Sequence, residues 1–253
     1  MKINYKMIKS SACKEGLSWF EAQYGREGEV EYQSALDKLV ECKRYSWAEW
    51  LMNRIGSEDT VLEIEGDLEK TAIYFAGSVK VSGSINATMS IMAGGSITAG
   101  EGINASYSIN ASGSITSGDG ITSGYSINAS YSITSGDGIT AGGSITVGDG
   151  ITSVEGITAG GSIKVGDGIT AGGSINASYS IKVGDGITSG GRITAGGRIT
   201  AGGSITAGGG YGIYAGLRTR IYDWNKYAIV TAKQKPNNLV SGYFQETNDN
   251  ENK

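Results

Sequence analysis

The chain reads as a mainly β protein: a triangular β-helix, or solenoid, of 18-residue coils, with a small N-terminal α-helical domain and a C-terminal cap. Two observations carry that reading. Isoleucine recurs at every sixth residue from Ile73 to Ile205, broken only by Val79, which gives 23 consecutive hexads such as ITAGGS, IKVGDG, INASYS and ITSGDG. A short fixed period marks units that bury their apolar side chains only by stacking on their neighbours, and six fits neither a 3.6-residue helix nor a heptad. The second observation is the fifth hexad position. Glu101, Asp119, Asp137 and Glu155 are spaced by 18, as are Asp149, Asp167 and Asp185, while Met89, Tyr107 and Tyr125 form a third series that Tyr179 rejoins after two glycines. A coil of three hexads sorts these residues into columns; a coil of two mixes them.

Residues 1–56 read as a helical domain. SACKEGLSWFEAQ places Cys13, Leu17 and Phe20 on one helical stripe, and YQSALDKLVECK does the same with Leu36, Leu39 and Val40. YSWAEWLMNRI opens on Ser46 and Glu49, a capping-box spacing, and turns Trp47, Trp50, Leu51 and Ile55 inward. Three short helices bury little surface, so the domain is expected to lean on the first coil and cover its open strand edges. Its tryptophans serve as core, or as a binding surface. Cys13 and Cys42 are the only cysteines; without a secretory signal they are expected to be reduced and buried.

Residues 57–210 form the β-helix. In residues 57–72, Val61, Leu62 and Ile64 read as strand and Glu65–Asp67 as a turn, an irregular first coil. In each later hexad Ile and the small residue two places on point inward, and the Thr, Asn or Lys between them points out. The following glycines are expected to turn the corner by adopting positive φ. The 23 hexads amount to seven to eight coils, a rod of roughly 35–40 Å. Stacked Ile fills the interior, and outward Thr and Asn stack as ladders.

Residues 211–244 read as a C-terminal cap. Tyr211 stands where Ile is due, and Tyr214, Tyr222, Trp224 and Tyr227 follow a run of small residues. The expectation is a last irregular coil with a hairpin, whose exposed aromatics offer a homodimer contact. Residues 245–253, QETNDNENK, are expected to form a disordered tail.

Composition narrows the chemistry. The chain carries a net charge of −4, divided as −4 in residues 1–72 (10 positive, 14 negative), −2 in 73–210 (5 and 7) and +2 in 211–253 (6 and 4). None of these is a basic nucleic-acid footprint, and nucleic acid is disfavoured as a partner. The chain opens without an apolar signal-peptide core and has no run long enough to span a membrane, so a cytoplasmic protein is expected. No catalytic constellation, cofactor motif or metal-ligand spacing is present, and histidine is absent. The acidic columns at Glu101, Asp119, Asp137 and Glu155 read as corner turns, in which Asp bonds nearby backbone amides, ahead of a cation site. As mimics of nucleic-acid phosphate they fit poorly: their ~4.8 Å spacing departs from the ~3.4 Å rise of a DNA strand. The outward Thr columns are broken by Asn and Lys, which argues against ice binding. The glycine-rich corners precede no helix and therefore lack the geometry of a phosphate loop.

Hexapeptide β-helices include the left-handed acyltransferases, whose motif resembles aliphatic-x-x-x-small-x and whose chemistry uses a histidine base. Here the small residue sits two places after the aliphatic one and there is no His, so acyl transfer is disfavoured and a right-handed coil is expected. The ITAGGSIKVGDGI run resembles the β-helices of bactofilins. It is more similar to a group of uncharacterised β-helical proteins of phages and gut bacteria. Those carry segments similar to SACKEGLSWFEAQ, to the W-A-x-W-L element at Trp47, Ala48, Trp50 and Leu51, and to GIYAGLRTRI at Gly212–Ile221. The resemblance implies no catalytic residue. It implies a phage or mobile-element setting, in which small proteins bind and block a host machine. The expected function is a non-enzymatic, protein-binding β-helix that inhibits a bacterial host or defence complex, with a bactofilin-like self-assembling scaffold as the alternative. Trp47, Trp50, Glu101, Asp119, Asp137, Glu155, Tyr107, Tyr125, Tyr222 and Trp224 are the candidate interaction residues.

Overall fold

The computed structural model describes residues 1–247. Its body is a parallel β-solenoid of three sheets, one per face. The first face stacks nine strands, from Val61–Ile64 to Ile205–Ala207. The second stacks ten, from Leu68–Lys70 to Leu239–Ser241, and the third ten, from Ile73–Phe75 to Tyr243–Glu246. Through the regular hexads each strand pairs in parallel with the residue 18 places on: Ile103 with Ile121, Ile121 with Ile139, Ile139 with Ile157.

Side-chain chemistry accounts for the register. From Ile85 to Ile199 every hexad isoleucine is essentially sealed from solvent, at 0–1 % exposure. Each such burial is worth ~1.5–3 kcal/mol, and a slip of one residue would turn the whole row outward. The Ala, Val or Ser two places on is buried beside it. Buried serines are satisfied by the coil before: Ser135 Oγ donates to the Asp119 carbonyl at 2.7 Å and Ser153 Oγ to that of Asp137 at 2.6 Å. Outside, asparagines form ladders, with Asn104 donating to Asn86 at 3.1 Å and Asn128 to Asn110 at 2.7 Å.

The corner glycines turn for a different reason from the one expected. Among the described residues the glycines with positive φ are Gly25, Gly56, Gly66, Gly210, Gly216 and Gly242, none of them inside the Ile73–Ala207 hexads. What the corner requires is close approach between coils. A Cβ on Gly118 would lie 1.9 Å from the carbonyl oxygen of Gly100, and one on Gly136 would lie 1.7 Å from that of Gly118.

The solenoid is also longer than its hexads. Leu62 pairs with Val79 and Leu68 with Ile85, so the coil begins before the regular spacing does. Residues 211–247 continue it with parallel strands, Ile213–Tyr214, Ile229–Ala232, Leu239–Ser241 and Tyr243–Glu246. The expected hairpin is absent: the chain closes with parallel coils, interrupted by a short helical excursion over Ile221–Tyr227. Ile213 and Val230 fill the interior as the isoleucines did, which is why the apolar aromatics do not have to. Gln245 and Glu246, expected in a disordered tail, pair with Thr231 and Ala232; the rest of that tail lies outside the described residues from 248 on. Ten rows of strands give a rod ~43 Å long.

The N-terminal region holds four helices, α1 (Tyr5–Ile8), α2 (Lys14–Tyr24), α3 (Tyr32–Glu41) and α4 (Tyr45–Ile55), with an antiparallel pair Lys2–Asn4 and Glu29–Glu31. Their core is continuous with Ala72, Tyr74, Ala76 and Met92 of the first two coils. Gln33 of α3 acts as a splice: its amide nitrogen donates to the Tyr74 carbonyl and its oxygen accepts from the Ala76 amide, both at 2.9 Å. That satisfies two backbone groups on the open edge of the third face. On the other two open strands Glu63 and Glu69 supply edge charge.

Two expectations for this region fail. Cys13 and Cys42 are free but exposed, because each stands at a helix end: Cys13 caps α2, its sulfur accepting from the Gly16 amide at 3.3 Å, and Cys42 closes α3. The Ser46–Glu49 capping box does not form, since α4 starts two residues earlier than a Ser46 cap would set it, with Arg44 at the cap position and no side-chain cap bond. The face that α4 turns to the core carries Ala48, Leu51 and Met52, and Trp47 and Trp50 at its margin are half-exposed.

Candidate functional site

The candidate residues fall into four separate places. Glu101, Asp119, Asp137 and Glu155 run along the corner that follows the first face, all exposed. Their backbone amides donate coil to coil, Asp119 to Glu101, Asp137 to Asp119 and Glu155 to Asp137, each at 3.4 Å. The expected bonds from these carboxylates to corner amides are not made. Because the ladder already occupies the amides, the carboxylates project into solvent, and only Glu101 is held, accepting from Ser84 Oγ at 2.9 Å. Among the described residues no group of three potential metal ligands converges.

Tyr107 and Tyr125 stand on the next corner, after the second face. Their rings stack with centroids 5.2 Å apart and an interplanar angle of 13°. The coil repeat itself sets this geometry, since rings on successive coils are held near stacking distance. Tyr179 rises from the same column, and Tyr131 from the column that continues into Asp149; both are exposed.

Trp47 and Trp50 line a half-open apolar cavity of about 320 Å³ in the helical domain. Trp19, Phe20 and Cys13 of the α2 region, with Ile8, Ala35, Leu39 and Leu51, complete it, and Ser11 and Ser46 are its hydroxyls. Trp19 meets Trp47 edge to face at 6.2 Å, and the Arg44 guanidinium lies 4.6 Å from the Trp47 ring centroid. The size falls in the range of small-ligand and side-chain pockets. Sequence pattern alone missed Trp19 and Cys13 as lining residues. A helical stripe describes one helix, and this cavity is lined from all four helices and the segment between α1 and α2.

At the far end Tyr222 is 70 % exposed, its hydroxyl accepting from Arg220 at 2.6 Å. Trp224 is half-buried and structural in its bonding, its indole nitrogen donating to the Thr219 carbonyl at 3.1 Å. The structure therefore does not bring the ten residues into one site. It gives an aromatic cavity at one end, two parallel surface columns along the rod, and an exposed tyrosine at the other end.

No protein-family model, no curated protein and no solved structure matches the chain. What stands is the fold: a parallel solenoid of 18-residue coils, compatible with a hexapeptide-repeat β-helix. None of the helices among the described residues is long and apolar enough to cross a membrane.

Proposed function

We propose that the protein is a non-enzymatic binding protein that engages a protein partner through its helical end, acting as an inhibitor of a bacterial host or defence complex. The supporting observation is the tryptophan-lined cavity. The helical domain meets the first coils at Gln33, Tyr74 and Met92, and none of these lines the cavity. Three half-exposed tryptophans around an open apolar hollow are more than a cap needs, and aromatic pockets of this kind anchor protein interfaces. The resemblance to phage proteins supplies the inhibitor setting. A homodimer through the C-terminal segment is compatible with the exposure of Leu217, Tyr222, Val240 and Tyr243.

The test is capture from bacterial lysate with two baits, the native chain and Trp50→Asp, each checked for native circular dichroism. A partner held by the first and lost by the second supports the reading. A well-folded native bait that retains nothing specific sinks it. The scaffold alternative is read from light scattering over a hundredfold range of concentration: mass that climbs steadily favours stacking, a fixed small particle favours a discrete binder.

A further inference from the structure

The C-terminal excursion crosses the corner after the second face and borders a half-open recess of about 600 Å³. Tyr179, Lys182, Arg198, Arg218 and Tyr227 line it, over a floor that includes Gly197. Gly197 stands 18 residues after Tyr179 in the same column, so the hollow opens where the next coil lacks a side chain. Three cationic residues line it and no Asp or Glu is among the lining. Among the described residues, all the ion pairs lie within residues 1–80, so none of these three cations meets a carboxylate. Arg198 is held by one bond from Nη2 to the Lys226 carbonyl at 3.1 Å, which leaves the rest of its donor fork available. Gathering like charges is unfavourable unless an anion offsets them. Tyr179 and Tyr227 are 63 % and 47 % exposed, with the Lys226 ammonium 4.8 Å from the Tyr227 ring centroid.

We propose that this recess binds a nucleotide, with phosphates on Lys182, Arg198 and Arg218 and the base against Tyr179 or Tyr227. Guanidinium forks match phosphate oxygens, nucleobases stack on tyrosine, and the volume suits a small molecule. A long polyanion fits less well, because Asp167 and Asp185 on the next corner flank the Lys182 strand and repel phosphates beyond the recess.

Calorimetric titration of the full chain with ADP, adenosine and inorganic pyrophosphate tests the assignment. ADP should bind saturably, one per chain, at least tenfold more tightly than either fragment. Lys182→Glu, on an outward strand position, should weaken ADP at least tenfold, as should Arg218→Glu. Tyr179→Gly should weaken it several-fold with the melting temperature little changed, because Gly143 and Gly161 already hold the same column position. No saturable binding at millimolar ADP would overturn the assignment. So would pyrophosphate binding as tightly as ADP, ADP binding that survives Lys182→Glu, or affinity for oligothymidylates that climbs steadily from two to eight nucleotides. The recess shares no residue with the tryptophan cavity, so failure of either leaves the other standing.

Discussion

At the scale of the residue, the hexad divides its labour unevenly. Ile139 is 0 % exposed in a stack of its own kind, while Thr140 beside it faces solvent. Ile139→Ala should cost ~2–5 kcal/mol and Thr140→Ala less than ~0.5 kcal/mol, measured by chemical denaturation. Glycine at the corner is less obvious. Gly136→Ala places a methyl against the Gly118 carbonyl and is expected to cost ~1–3 kcal/mol. Ser130 and Val154 occupy the equivalent place in other coils, so a melting temperature that falls without loss of the fold is the expected form of the damage. The inward isoleucines were legible because burial on a strand has a period that sequence displays. The close approach at Gly136 was not, since it arises between residues 18 apart and carries no hydrophobic signal, and other coils accommodate Ser or Val at the same place.

At the scale of the element, the junction of α3 with the first coil holds two tyrosines whose titration is coupled to folding. Burial pushes the Tyr74 hydroxyl up to about 12 from its ordinary value of 10, with the nearby Glu49 carboxylate adding to the effect, and burial also pushes Tyr32 up. In the folded protein Tyr74 therefore keeps its proton between pH 10 and pH 12, while the unfolded chain releases it. The unfolded state then binds fewer protons, so the stability present below pH 10 is lost as pH rises through 12, at up to ~1.4 kcal/mol per pH unit. Tryptophan fluorescence followed from pH 9 to 12 should report the helical domain loosening while the far-ultraviolet strand signal persists, and Tyr74→Phe should move that transition to higher pH. The reach of sequence differed between elements. The helices and the solenoid body were readable from apolar period, whereas the last coils were not: Ile213, Val230, Leu239 and Phe244 re-enter the stack at unequal intervals, separated by the excursion around Trp224. The cavity among the four helices and the recess beneath Arg218 are products of packing and leave no periodic trace.

At the scale of the whole molecule, stability is expected to be a sum over neighbouring coils. Removing residues 121–138, one full coil, joins Gly120 to Ile139 in the same register and should melt cooperatively within several degrees of the native chain. Removing residues 121–129 puts isoleucine into corners and should abolish the cooperative transition, which calorimetry would show at once. The 18-residue register described above also makes the rod a graduated ruler. Each added or deleted coil moves the aromatic cavity and the cationic recess apart or together by ~4.8 Å and leaves each on its own face, apart from the small rotation per coil. A single added hexad turns the far end by about a third of a revolution. Spacing and azimuth between the two ends can thus be reset by copying short stretches of the gene, with no new core to be invented.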